Sequence, residues 1–183
     1  YEWTAAPGGA NLHRNVIFRG ANVPELPMSA ADIPSEEGLW QWLQAQDQQG
    51  ARALALPHNS NASKGRMFPA TDSAGDLIDT DYARLRGQYE RAIEMMQVKG
   101  NSEVTRQFWT ADEFSDFENA PSIAKFSDRA PMKENYVRYG VVQGLAEEER
   151  LGVNPFKLGF VGGTDTHNGI MGDTDEDNFV GAH

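Results

Sequence analysis

Residues 50–65 read GARALALPHNSNASKG, and three features follow one another inside those sixteen positions. A glycine stops whatever precedes it. The run ARALALP (51–57) is apolar but too short for a helix, and reads as a brief buried strand. HNSNASKG (58–65) is then a polar loop opening on a histidine. Immediately upstream, Pro34 and Ser35 open a helix whose first turn carries Glu36 and Glu37, as the helix dipole prefers. Leu39, Trp40 and Leu43 give that helix an apolar face, and Gly50 ends it.

The same order of helix, strand and polar loop recurs twice. Residues 80–92 place Tyr82, Leu85 and Tyr89 near helical spacing and feed IEMMQV (93–98), which opens onto KGNSE (99–103). Residues 133–151 carry Val137, Val141 and Leu145 as an i, i+4, i+8 stripe, with Gly152 as the stop. They feed FKLGFVG (156–162) and then GTDTH. Between these units TADEF (110–114) has the spacing of a capping box, Thr110 to Glu113. Helices alternating with short, continuously apolar strands predict an α/β fold with a parallel sheet or barrel. In such folds reactive groups sit on loops leaving the C-terminal strand ends. His58, the 99–103 loop and the pair Asp165/His167 all hold that kind of position, and Glu2 joins them if Tyr1-Glu2 ends another strand.

Composition narrows the chemistry. At 183 residues the chain reads as one domain, with 39% hydrophobic residues and a net charge of −11. That charge argues against a nucleic-acid partner and against docking on anionic membranes, and no apolar run is long enough to span a bilayer. Without cysteine, disulfides and thiolate metal sites are excluded, which leaves His, Asp and Glu as ligands. The opening Tyr1-Glu2-Trp3-Thr4 reads as the inside of a strand, so the expectation is a piece of a longer protein. PELP and its surroundings (20–34) read as a surface wrap, and residues 68–81 as a long loop able to cover a site.

Among the four histidines, His58 and His167 follow strands and carry small polar neighbours, which suits metal ligation better than core packing. His13 precedes a strand in NLHRNVIF, and His183 reads as a tail. Asp165 with His167 forms a D-x-H pair whose side chains share one side of an extended segment; the alternative is ordinary turn chemistry. Glu94, inside an apolar strand, and Glu103, on the following loop, compete for one ligand role. GDTDEDN (172–178) alternates aspartates like a calcium loop but has Asn178 where glycine is required, and reads as a solvated acidic turn. Arg14, Arg19, Lys64, Arg66 and Lys99 are the cations available to an anion. No P-loop, nucleophile elbow or dinucleotide fingerprint is present.

YEWT, NLHRNVIFRG, LWQWL, ALPHNSNASKGRMF, MMQVKGNSE, YVRYGVVQGL and NPFKLGFVGGTDTHNG, in that order, resemble the domain of unknown function 3604 family. That family is similar to the polymerase-and-histidinol-phosphatase (PHP) superfamily of metal-dependent phosphoesterases. The resemblance implies a distorted parallel β/α barrel, of which residues 1–183 are the central to C-terminal part, with an H-x-H pair in a preceding segment of the same protein. It implies metal ligands Glu2, His13, His58, Glu94, Asp165 and His167, with Glu2 bridging and Glu2, Asp165 and His167 at the catalytic centre. Two or three divalent ions (Mn, Zn or Fe) would activate water against a small anionic ester, held by Lys64, Arg66 and Asn59. The competing expectations are a hydrolase or lyase acting on another anionic ester such as a sulfate, and a non-catalytic metal-stabilised module. An exported or periplasmic bacterial location is what the resemblance suggests.

Overall fold

The computed structural model describes residues 1–117, 119, 131–167 and 169. His183 and the acidic stretch 172–178 lie outside the described residues. The described chain is mixed α/β, with three α-helices and two small sheets. Strands β1 (Glu2–Trp3), β2 (Arg14–Phe18) and β3 (Ala53–Pro57) form the first sheet in that order. Strand β4 (Ala92–Gln97) is the centre of the second, flanked by β5 (Gly100–Asn101) and β6 (Gly159–Gly162). The helices are α1 (Glu36–Gln48), α2 (Thr80–Tyr89) and α3 (Val137–Leu151). No helix among the described residues is long and apolar enough to cross a membrane.

The three predicted helix–strand–loop units are present, and β1 stands where Tyr1-Glu2 suggested it. The pairing differs from the parallel expectation. β1–β2, β2–β3 and β4–β5 are antiparallel, and β4–β6 is the parallel pair; the described residues do not close a barrel. The reason lies in residues 19–35. The Trp3 indole donates to the Ile33 carbonyl at 3.2 Å, so this segment has carried the chain back to the starting end of β2 before α1 begins. α1 then returns it, and Ala53 pairs with Phe18 at the end where β2 finished. Read as a surface wrap, that segment went uncounted as a pass across the sheet, and one extra pass reverses the next strand.

Local chemistry explains the helix starts. Ser35 Oγ accepts from the Gly38 N–H and Asp79 Oδ1 from the Tyr82 N–H, satisfying donors that a helix start leaves open. Leu39, Trp40 and Leu43 of α1 are buried against Tyr82 and Tyr89 of α2, with Trp3, Val16, Met67, Phe68, Ile93 and Phe156 completing the core. The stripe read on α3 is off by rotation. Val137 is buried, but Leu145 is 61% exposed, and the inward face is Val137, Gly140, Gly144 and Glu147. Glycine carries no hydrophobic signal, yet it lets α3 lie directly on Phe68: a Cβ at Gly140 would stand 2.3 Å from that ring.

Two further expectations are corrected. TADEF starts no helix. Asp112 instead closes a turn by accepting from the Phe114 N–H, and the nearby Phe114 and Phe117 are exposed, so no apolar face was available to bury. The run ending in β6 is not a buried strand either, since Phe160 is 56% and Val161 39% exposed.

Candidate metal centre

Strand ends bring the first three candidates together. Glu2 lies on β1, His13 just before β2 and His58 just after β3. The antiparallel ladder puts these positions side by side, because Glu2 pairs with Asn15 and Arg14 with Pro57. Glu2 Oε1 is 2.9 Å from His13 Nδ1, and Glu2 Oε2 is 3.9 Å from His58 Nε2. One ligand atom from each residue lies within 4.8 Å of the other two. The two imidazole rings meet edge to face, centroids 5.7 Å apart.

Electrostatics prepares these groups to donate lone pairs. The hydrogen bond from His13 is the main influence holding the Glu2 carboxyl down at about 2, against a smaller burial effect, with Thr4 Oγ1 and His58 helping. Burial pushes the His58 imidazole below its ordinary value, only partly opposed by the Glu2 and Asp165 carboxylates. A carboxylate ionised at neutral pH beside a buried neutral imidazole is the protonation state that a cation requires. Two imidazoles and a carboxylate also suit borderline divalent ions rather than calcium.

Glu94 stands behind His58. It is 6% exposed, and its Oε2 accepts from the Asn59 backbone N–H at 3.1 Å and from Gln97 Nε2 at 2.9 Å. Burial pushes its carboxyl up to about 7, with the Asp165 carboxylate adding to the rise and the two donors opposing it. Glu94 Oε1 also explains the second of the two glycines before TDTH, Gly163. A Cβ on Gly163 would come within 2.7 Å of that oxygen, so a larger residue would displace one or the other. Glu103 is elsewhere: its carboxylate pairs with Arg138, 2.6 Å away.

Asp165 and His167 depart from the extended D-x-H expectation. Asp165 has φ of +54°, in the left-handed region, so the alternation of an extended strand does not apply. Its Oδ2 contacts Lys99 Nζ, and its charge is felt by both His58 and Glu94. His167 turns its Nδ1 to the Asp165 backbone carbonyl, 2.6 Å away, and is 52% exposed. Glu2, His13 and His58 are therefore gathered, Asp165 and Glu94 act on His58 or its neighbour Asn59, and His167 is half exposed beside Asp165.

The anion-binding candidates separate. Asn59 is buried with φ of +57°, and its side-chain Oδ1 meets no hydrogen-bond partner. Lys64 Nζ donates to the Gly8 carbonyl at 2.9 Å. Arg66 lines a cavity of about 610 Å³ with Pro7, Leu12, Pro34, Glu36 and Asp72, a wall that includes none of the candidate metal ligands. Residues 69 and 71–75, within the 68–81 loop, form part of that wall. Arg14 is withdrawn as an anion-binding residue: it is fully buried, with Nε 2.9 Å from Glu90 Oε1.

Sequence reading missed what holds the loops. Asn61 Nδ2 donates to the Lys99 carbonyl, and the Asn61 amide oxygen accepts from Ser102 Oγ. Asn135 Nδ2 reaches the Asn61 carbonyl, while its Oδ1 accepts from the Gly65 N–H. The asparagines and serines of HNSNAS and GNSE thus tie two strand-end loops to the turn before α3. Their density in loops after strands was the one available signal.

The family described as "Protein of unknown function (DUF3604)" matches residues 1–183, and the chain belongs to that family. No curated protein and no solved structure matches it.

Proposed function

We propose that this protein is a metal-dependent hydrolase acting on phosphate esters, with a site of the PHP type completed as a distorted barrel and loaded with two or three Mn, Zn or Fe ions. The observation that carries the proposal is the meeting of Glu2, His13 and His58, from three strand ends, with their ligand atoms within 4.8 Å. The protonation states of Glu2 and His58 fit divalent ions, as argued above. Bound ions would supply Lewis acidity, lowering the pKa of a water and drawing charge from a phosphoryl oxygen.

The chain's own residues would divide the remaining work. Glu2 presents one oxygen to each histidine and would bridge ions. His13 and His58 would complete the shell, with Asp165, His167 and Glu94 as further ligands. Glu94 would also hold the backbone beside His58 by accepting from the Asn59 N–H. Lys64 and Arg66 would hold the anionic part of a substrate large enough to reach them, and Asn59 shapes the floor.

The test joins metal content to turnover. The protein should bind Mn or Zn in whole-number stoichiometry and hydrolyse a p-nitrophenyl phosphate monoester or diester, with the sulfate ester as comparison. His58→Ala should lower metal affinity by about 100-fold or more. Metal bound with every phosphate ester untouched, or no metal at all, would reject the reading.

A further inference from the structure

Lys99 begins the loop after β4, and its backbone is fixed from both sides. Its N–H donates to Gln97 Oε1 at 3.3 Å and its carbonyl accepts from Asn61 Nδ2 at 3.0 Å. The root of the side chain therefore cannot wander. Its ammonium contacts Asp165 Oδ2, with the lysine side chain 20% and the aspartate 12% exposed. The same ammonium lowers the Glu94 carboxyl, and Asp165 raises it. One positive charge, largely withdrawn from water, is thus shared between two carboxyl groups beside His58.

A divalent ion that takes Asp165 as a ligand competes with the ammonium for the charge of that carboxylate, and two cations on one carboxyl group repel. The doubly charged ion loosens the hold of the ammonium. An ammonium displaced from a carboxylate but tethered at a pinned backbone stays near the site, where it needs a new counter-charge. A phosphate-type oxyanion bound at the centre supplies one.

We propose that Lys99 recognises the reacting anionic group at this centre, leaving Lys64 and Arg66 to more distant parts of a substrate, and that it exchanges partners: it yields Asp165 to a divalent cation and then pairs with the anionic group of the substrate. The inference rests on the metal-dependent reading above. It makes anion binding conditional on metal binding, and it selects charged esters over neutral ones.

The experiment uses wild-type protein and Lys99→Met, stripped of metal and then titrated with Mn²⁺, followed by inorganic phosphate. Lys99→Gln is read in the same way should Lys99→Met fold poorly. Stripped Lys99→Met should melt several degrees below wild type, because its carboxylates lose their counter-charge, whereas the Mn²⁺-loaded forms should melt together. Its Mn²⁺ affinity should rise about tenfold, since no cation has to be displaced, and phosphate binding to the loaded form should weaken about tenfold. Equal Mn²⁺ affinity in both proteins, an equal loss of melting temperature with and without metal, or unchanged phosphate binding overturns the exchange while leaving the metal centre standing. Failure of wild type and variant alike to bind Mn²⁺ rejects the metal reading and the exchange with it.

Discussion

Glu94 protonates at about 7 in the folded chain, against 4.5 for an ordinary glutamate. The folded state therefore holds a proton that the unfolded chain has released, and stability falls as pH rises from 4.5 through 7. With chelator present the Glu94 contribution to that fall amounts to roughly 3 kcal/mol. Glu94→Gln keeps the shape without the charge, so urea midpoints between pH 5 and 8 should decline less in the variant than in wild type. Parallel declines would show that another group causes the loss. Gly163 belongs to the same contact: Gly163→Ala should cost about 1–3 kcal/mol through crowding. Adding Glu94→Asp, which withdraws the crowded oxygen, should recover part of that cost in a double-mutant cycle. The chemical types at this site were legible in the sequence, because His and carboxylates after short strands are conspicuous. The turn at Asp165 was legible only as the alternative to an extended D-x-H pair, because aspartate tolerates a left-handed backbone without requiring one.

Helix α3 shows how an element can be located correctly and oriented wrongly. Its span and its Gly152 stop were plain, but valine and leucine drew attention to the outer side while two glycines faced Phe68 and Phe156. Ordinary propensity says that alanine stabilises a helix over glycine by about 1 kcal/mol. At Gly140 the sign should reverse: Gly140→Ala should lower the urea-unfolding free energy by about 1–3 kcal/mol, because its Cβ meets the Phe68 ring. Leu145→Gln, on the exposed side, should stay within about 0.5 kcal/mol of wild type. Equal effects at the two positions would mean that the packing face is misassigned. The polarity of β3 was lost to sequence reading for a related reason. Direction depends on how many times the chain crosses the sheet, and residues 19–35 cross it without regular structure to mark the crossing.

Across the whole molecule, the feature least visible in the sequence is the buried charge at its centre. Glu90 is 1% exposed and lies between Arg14 of β2 and Arg86 of α2, while Trp40 Nε1 of α1 donates to its Oε1 at 2.9 Å. The Arg86 guanidinium lies over the Phe156 ring at 4.6 Å and donates to the Met67 carbonyl. Burial alone would raise the Glu90 carboxyl, but the two guanidiniums and the indole hold it below the ordinary range, so the charge is permanent. Only the i, i+4 spacing of Arg86 and Glu90 hinted at this; Arg14 comes from 76 residues away. Glu90→Gln should cost about 3–5 kcal/mol, because it leaves two buried cations without a counter-charge. Replacing all three residues by apolar ones of similar volume should cost less. Thermal unfolding of the single and triple variants decides this, and a single variant as stable as wild type would remove Glu90 from the account.

The strand ends that supply the candidate ligands also set an order of events during synthesis. Glu2, His13 and His58 are all made before Asp165, which follows His58 about 100 residues later. At about 5–20 residues per second that interval is roughly 5–20 s. For that time a growing chain can display two imidazoles and a carboxylate with no partner loop over them, able to pick up an ion from the surroundings. If the protein carries metal as proposed, which one it holds would then depend on what is abundant where it is made, as much as on what its completed site prefers.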